Sequence, residues 1–165
     1  MTPIGTFEGS RGTYTLRLAT ADDADVLARH RASMFRDMGD IDEPGASIIE
    51  NASVDHLAAL IEAREYFGFL AEHEGEVAGG GGAWLRPVLP RPGMLQGSME
   101  GYVLNVYTEP GHRRSGVARA IMEAIMDWGR EHRLARLVLH ASKDGRPLYE
   151  SLGFEDSNEM RLKLT

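Results

Sequence analysis

The most regular hydrophobic pattern in the chain is Val117, Ile121, Ile125 and Trp128, one stripe at helical spacing with Arg119, Glu123, Asp127 and Arg130 facing away. It predicts a helix beginning at about Arg114 and marks its inner face as core. Just before it, the apolar, β-branched run from Val103 to Thr108 predicts a strand that Pro110 and Gly111 end. After it, Arg136 to Ala141 reads as a buried strand, parallel to the first across a right-handed helical crossover. His140 in that strand reads as an interior or rim residue rather than a base. Asp144-Gly145-Arg146-Pro147 opens a short helix that Gly153 ends, and Phe154 starts a final strand reaching about Leu162.

The first half is patterned less sharply. Residues 1–12, with Gly5, Gly9 and Gly12, read as a tail less ordered than the rest. Tyr14 to Leu18 predicts the first strand, and Thr20 caps a helix over about 21–36 whose first turn carries Asp22, Asp23 and Asp25. Asp37 to Gly45 breaks that helix, and a second follows within 46–64. Tyr66 to Glu72 and Val77 to Leu85 form a hairpin around His73-Glu74-Gly75-Glu76. Gly79 to Gly82 lack the Lys-Ser/Thr of a phosphate-binding loop, so they predict a bulged or bent strand approached closely by a neighbour. Residues 86–98, with three prolines and two glycines, predict a long stiffened loop over a substrate site, over a subunit contact, or packed on the surface. The element order is β, α, α, β, β, β, α, β, α, β, a mixed sheet with helices on its faces.

A chain of 165 residues fits one domain with a sizeable core. It has no Cys, which excludes disulfides, thiolate metal sites and acyl-cysteine intermediates. Eighteen Lys and Arg against 25 Asp and Glu give a net charge of -7, which disfavours nucleic acid and anionic membranes and suits a cationic substrate. No apolar run approaches membrane-spanning length and Met1 to Thr15 lacks a signal-peptide core, so a soluble, cytoplasmic protein is expected.

The turn between the central strand and its helix holds the chemistry. Ser115, Gly116 and Ala118 are small, and a helix start offers unpaired backbone N–H groups, an arrangement that suits a phosphate. Arg113-x-x-Gly116-x-Ala118, preceded by Val106-Tyr107-Thr108-x-Pro110, resembles the Gln/Arg-x-x-Gly-x-Gly/Ala signature of the GNAT superfamily of acetyl-CoA-dependent N-acetyltransferases. Leu148-Tyr149-Glu150-Ser151-Leu152-Gly153-Phe154 resembles that family's junction between its last helix and last strand. The resemblance is specific over about residues 99–162. It implies a single mixed α/β (α+β) domain, with a mostly antiparallel sheet of six or seven strands, a splayed parallel pair and about four flanking helices. It also implies acetyl-CoA, with pantetheine in the gap beside Val106, Tyr107 and Thr108 and the pyrophosphate on Arg113, Arg114, Ser115, Gly116, Val117 and Ala118, Ser142 and Tyr149 completing the set.

Direct acyl transfer to a primary amine needs a neutral amine, an oxyanion site and a proton for the departing thiolate. Tyr149 is the expected acid, Glu100 the nearest carboxylate for a base, and backbone N–H groups around Val106 to Thr108 the oxyanion site. Tyr102 stands about where some relatives carry a glutamate, a departure that bears on the base. Asp37, Asp40, Asp42 and Glu43 are either a solvated loop or an acceptor wall for a cationic amine. No His-Glu-x-x-His or Gly-x-Ser-x-Gly pattern supplies a metal or a serine nucleophile. The acceptor is a small-molecule or peptide amine, and a homodimer stays open. The competing readings are a non-catalytic acyl-CoA-binding domain, a longer acyl group, and a hydroxyl acceptor.

Overall fold

The computed structural model describes residues 3–95 and 98–164. In chain order the elements are β1 (Pro3–Gly9), β2 (Gly12–Leu18), α1 (Ala24–Asp37), α2 (Glu43–Glu62), β3 (Tyr66–His73), β4 (Glu76–Val88), β5 (Ser98–Thr108), α3 (Val117–Glu131), β6 (Leu137–Leu139) and α4 (Arg146–Ser151). Single 3₁₀ turns at Ala21–Asp23 and Pro110–His112 lead into α1 and the α3 turn. The six strands lie side by side in sequence order, all antiparallel except β5 and β6, which are parallel. This is the expected mixed sheet with a parallel pair and four helices.

Both faces of the sheet are covered, and β3 shows why its sequence is continuously apolar. Phe67, Phe69 and Ala71 point to one face, where Val117, Ile121, Met122 and Ile125 of α3 pack, and the Trp128 and Phe67 rings stack at 3.6 Å. Tyr66 and Leu70 point to the other, against Leu27 and Ala28 of α1 and Leu57 of α2.

The expected bulge in β4 is present at the edge of its glycine run, where Ala78 is extra between the pairs Ala71↔Gly79 and Glu72↔Val77, and β5 carries a second. Between the pairs Gly80↔Tyr107 and Gly82↔Leu104, β5 has one more residue than β4. Asn105 takes up the difference with φ of 60°, a left-handed conformation that Asn tolerates better than most residues. The glycines give the bulge and the neighbouring strand room. A Cβ on Gly79 would lie 2.7 Å from the Tyr107 carbonyl oxygen, and one on Gly82 only 2.3 Å from that of Phe67.

Three expectations are corrected. The described part of residues 1–12 is not a tail, because β1 pairs with β2 from Pro3↔Arg17 to Gly9↔Gly12; Met1 and Thr2 lie outside the described residues. The 86–98 loop is shorter than expected, since β4 and β5 pair as far as Val88↔Ser98 and Arg91 and Met94 bridge within it. Gln96 and Gly97 lie outside the described residues. The final strand is not formed. Glu155 to Glu159 is a polar run, and the chain through Leu164 stays exposed and outside the sheet.

His30 of α1 is fully buried, its Nε2 3.2 Å from Glu109 Oε1. Burial pushes its imidazole down to about 4, against the pull of Glu109. An unfolded histidine titrates near 6.5, so the unfolded chain binds the extra proton first as pH falls from about 6.5 towards 4. His30 stabilisation is therefore complete above that window and lost through it. The melting temperature of the wild type is expected to fall more between pH 6.5 and 4 than that of His30→Gln, as read by circular dichroism.

Candidate acyl-transfer site

β5 and β6 pair only at Gly101↔Leu137, Tyr102↔Val138 and Val103↔Leu139. Beyond that the two parallel strands part, just where the Asn105 bulge follows on β5. A cleft of about 1580 Å³ occupies the gap, reaching from Arg31 on α1 past Val106, Tyr107 and Thr108 to the α3 turn and Tyr149 on α4.

The turn is built for an anion. Arg114 has φ of 58° and Gly116 φ of 86°, and Gly116 is the N-cap of α3. No side chain caps the helix, and its first bond runs from the Ala120 N–H to the Gly116 carbonyl, so the N–H groups of Val117, Ala118 and Arg119 have no intrahelical acceptor. Arg114, Gly116, Val117 and Ala118 all line the cleft. Glycine is required at 116 by its left-handed backbone; the space a Cβ would enter holds only Phe7 at 3.9 Å.

The N-terminal hairpin braces this turn. Ser115 is buried, its Oγ 2.9 Å from Ser10 Oγ, and a Cβ on Gly9 would lie 2.4 Å from the Ser115 carbonyl oxygen. Tyr14 stacks between Phe7 and His73, and its hydroxyl lies 2.9 Å from His112 Nδ1. The Ser115 side chain thus faces the hairpin, and Ser115 does not line the cleft.

The other expected residues divide. Arg113 bonds Asp37 and, through Nε at 3.3 Å, the Thr108 carbonyl, and its hydrogen bond to Asp37 raises its pKa. It is tied to the end of β5 rather than free for phosphate. Asp42 is not part of an acceptor wall but the N-cap of α2, accepting from Gly45 N–H at 2.8 Å. Glu43 in the first turn of α2 pairs with Arg36 at 3.3 Å. Asp37 and Asp40 do line the cleft. Ser142 lines it too, with Oγ accepting from Gly145 N–H at 3.0 Å and so fixing the start of α4. Tyr149 is half-buried with its ring edge-on to Phe154, and burial pushes its phenol up, which keeps it protonated at neutral pH.

Glu100, expected as a base, has a structural task instead. It is 7% exposed, outside the cleft lining, and accepts from Arg86 and Arg136 at 2.7 Å each. Burial works to raise its pKa, but the two guanidiniums win and hold the carboxyl below its usual range. A carboxylate so paired is a poor proton acceptor.

Further side chains meet in the cleft. The Tyr102 hydroxyl bonds His140 Nδ1 where the strands begin to part, and the Arg86 guanidinium lies 4.5 Å over the Tyr102 ring. Asn105 accepts from Arg31 at 2.8 Å. Its signal was present as a polar residue inside an apolar run. Among the described residues no cluster of His, Asp and Glu could hold a metal, and no helix is long and apolar enough to cross a membrane.

The chain belongs to the GNAT acetyltransferase family, whose model, described as "Acetyltransferase (GNAT) family", matches residues 32–154. A GCN5-related N-acetyltransferase from Ralstonia eutropha is similar in structure, with TM-score 0.83 and 30% identity over 92% of this chain and 98% of that one. A predicted acetyltransferase from Clostridium acetobutylicum, crystallised with acetyl-CoA, gives 0.78 and 25% over 92% and 96%. In sequence, a glucosamine 6-phosphate N-acetyltransferase of Trypanosoma brucei brucei is 27% identical over 97 residues, 58% of this chain and 63% of that protein. The match thus spans less than two thirds of that relative. An uncharacterized N-acetyltransferase of Escherichia coli is 27% identical over 85% of this chain and 81% of its own length.

Glu100→Gln is expected to lower stability by about 1–2 kcal/mol, through weakened hydrogen bonds to two partly exposed arginines, in a denaturant titration. Its kcat should stay within about twofold of wild type, whereas loss of a general base costs about 10² or more.

Proposed function

We propose that the chain transfers an acetyl group from acetyl-CoA to a primary amine by direct attack in a ternary complex. The observation that carries this is the parting of β5 and β6 beside an uncapped α3 N-terminus, with a protonated tyrosine on the third side. Pantetheine lies along Val106 to Thr108 and the phosphates on the backbone of Arg114 to Ala118, with Arg114 adding positive charge. The amine nitrogen bonds to the thioester carbonyl carbon, the developing oxyanion is met by backbone N–H groups at the β5 bulge, and the C–S bond then breaks. The departing thiolate takes its proton from the Tyr149 hydroxyl, and the proton that the nitrogen sheds on becoming an amide passes to solvent, which reprotonates the phenolate.

A lysine-like amine is neutral in only about one molecule in 2,000 at pH 7, so its proton needs an outlet. With Glu100 occupied by two arginines, the hydrogen-bonded Tyr102 and His140 pair at the mouth of the gap is the better outlet, the phenol relaying a proton to the imidazole. Fold relatives carry names that span amino-sugar phosphate and aminoglycoside acceptors, so the family leaves the amine itself open.

Tyr149→Phe keeps the ring and loses the donor. It is expected to lower kcat by at least about tenfold, less than the full range of about 10² to 10⁴ that acid–base groups contribute because water partly substitutes, with acetyl-CoA affinity near wild type by calorimetry. Full kcat under conditions where chemistry limits the rate would make solvent the acid. Gly116→Val, which strains the turn backbone, is expected to weaken acetyl-CoA binding in the same titration while the chain stays folded. Unchanged affinity would move the phosphates away from the turn.

A further inference from the structure

Beside the β5 bulge, three donor-bearing side chains line the cleft, and two of them hold a buried polar atom with no partner among the described residues. Arg31 donates to Asn105 Oδ1 at 2.8 Å and lies 4.9 Å over the Phe35 ring, and no carboxylate among the described residues pairs with it. Burial pulls its pKa below the ordinary value, opposed only by the uncharged phenols of Tyr66 and Tyr102. Asn105 is 1% exposed; its Oδ1 is taken by Arg31, and its Nδ2 has no partner among the described residues. Tyr66 is 2% exposed, and its hydroxyl has none either. Asn105 is close enough to counter the upward push that burial gives the Tyr66 phenol, but the two fall short of hydrogen-bond geometry.

Buried donors are almost always met by an acceptor, and a half-buried cation calls for a counter-charge. Arg31, Asn105 and Tyr66 come from α1, β5 and β3, so the cluster is a product of the tertiary fold and all of it opens on one cleft. Its position matters as much as its charge. Asn105 is the bulge residue itself, next to the backbone that would meet the oxyanion, so an acceptor reaching the acetyl group passes this cluster. We propose that Arg31, Asn105 Nδ2 and the Tyr66 hydroxyl form a subsite for a negatively charged group, a carboxylate or a phosphate, carried by the amine acceptor a few bonds from its nitrogen. The cationic acceptor suggested by the net charge of -7 is therefore replaced by one bearing an anion, because the local field at the bulge is set by Arg31. The word acceptor rests on the acetyl-transfer reading; the anion subsite does not.

The test uses the full chain saturated with CoA and two matched pairs of probes in calorimetry, N-acetylglycine against N-acetylglycinamide and O-phosphoethanolamine against ethanolamine. Release of free CoA from acetyl-CoA is measured in parallel with glycine, glycinamide and the second pair. The charged member of at least one pair is expected to bind about tenfold or more tightly than its neutral partner, as charge-assisted hydrogen bonds require. Which pair shows the difference tells carboxylate from phosphate. Arg31→Gln should bring that ratio close to one, Arg31→Lys should recover part of it, and Tyr66→Phe, which keeps the ring, should reduce it. Melting curves confirm that each variant is folded. A ratio near one in the wild type, a ratio that survives Arg31→Gln, or no binding of either charged probe at millimolar concentration overturns the proposal. Charged-probe binding that depends on Arg31, without CoA release from any amine, supports the subsite and refutes the transfer reading. Equal CoA release from charged and neutral amines does the reverse.

Discussion

One extra residue in β5 is the constraint on which the site depends. A sheet whose ladder runs unbroken has no spare backbone donors, because every N–H is paired across to the next strand. Asn105 interrupts that ladder, and it can do so because Gly79 to Gly82 opposite present no Cβ to the shifted chain. On its other side β5 loses β6 after Val103↔Leu139. Two interruptions on the same strand within a few residues leave a stretch of buried backbone facing a cleft instead of a neighbour. A ligand that bonds like a strand then fits where a strand is missing.

The remaining architecture fixes the two ends of that gap. At one end α3 is anchored by its apolar stripe, so its uncapped first turn cannot swing away, and the hairpin of β1 and β2 locks the turn from outside through Ser10 and Ser115. At the other end α1 lies across the sheet, held by buried His30 against Glu109 and by the pairing of Asp37 with Arg113. The same helix delivers Arg31 to the bulge. Charge is therefore sorted along the cleft. Asp37 neutralises one arginine of the signature, whereas among the described residues neither Arg114 at the α3 turn nor Arg31 at the bulge pairs with a carboxylate.

Much of this was legible in the chain because it is locally encoded. The α3 stripe, the Pro110–Gly111 break and the spacing of Arg113, Gly116 and Ala118 each follow from a period or a turn residue, and they gave the helix, the turn and the parallel crossover in the right order, though α3 starts at Val117 rather than about Arg114 and β6 is only Leu137–Leu139. The glycine run announced a close approach and a bulge in β4, though not the second bulge in β5. What failed depended on partners distant in sequence. Glu100 looked like a free carboxylate until Arg86 and Arg136 closed on it, and Asp42 looked like a pocket acid until α2 began at Glu43. The glycines of residues 1–12 suggested disorder, whereas Phe7, Gly9 and Ser10 are the contacts of a strand and turn packed on Tyr14 and Ser115. The cluster of Arg31, Tyr66 and Asn105 draws on three separate elements, so no window of sequence contains it.

The central claim is that backbone N–H groups at the β5 bulge and the α3 start receive acetyl-CoA. Backbone amide chemical shifts recorded during titration of the full chain with acetyl-CoA test it most directly. The account predicts that the largest changes fall on Val106 to Thr108 and on Gly116 to Arg119, with only small changes at the opposite end of α3 near Leu134 and Phe154. Changes concentrated around Leu134 and Phe154, with the bulge and the turn unmoved, would contradict it.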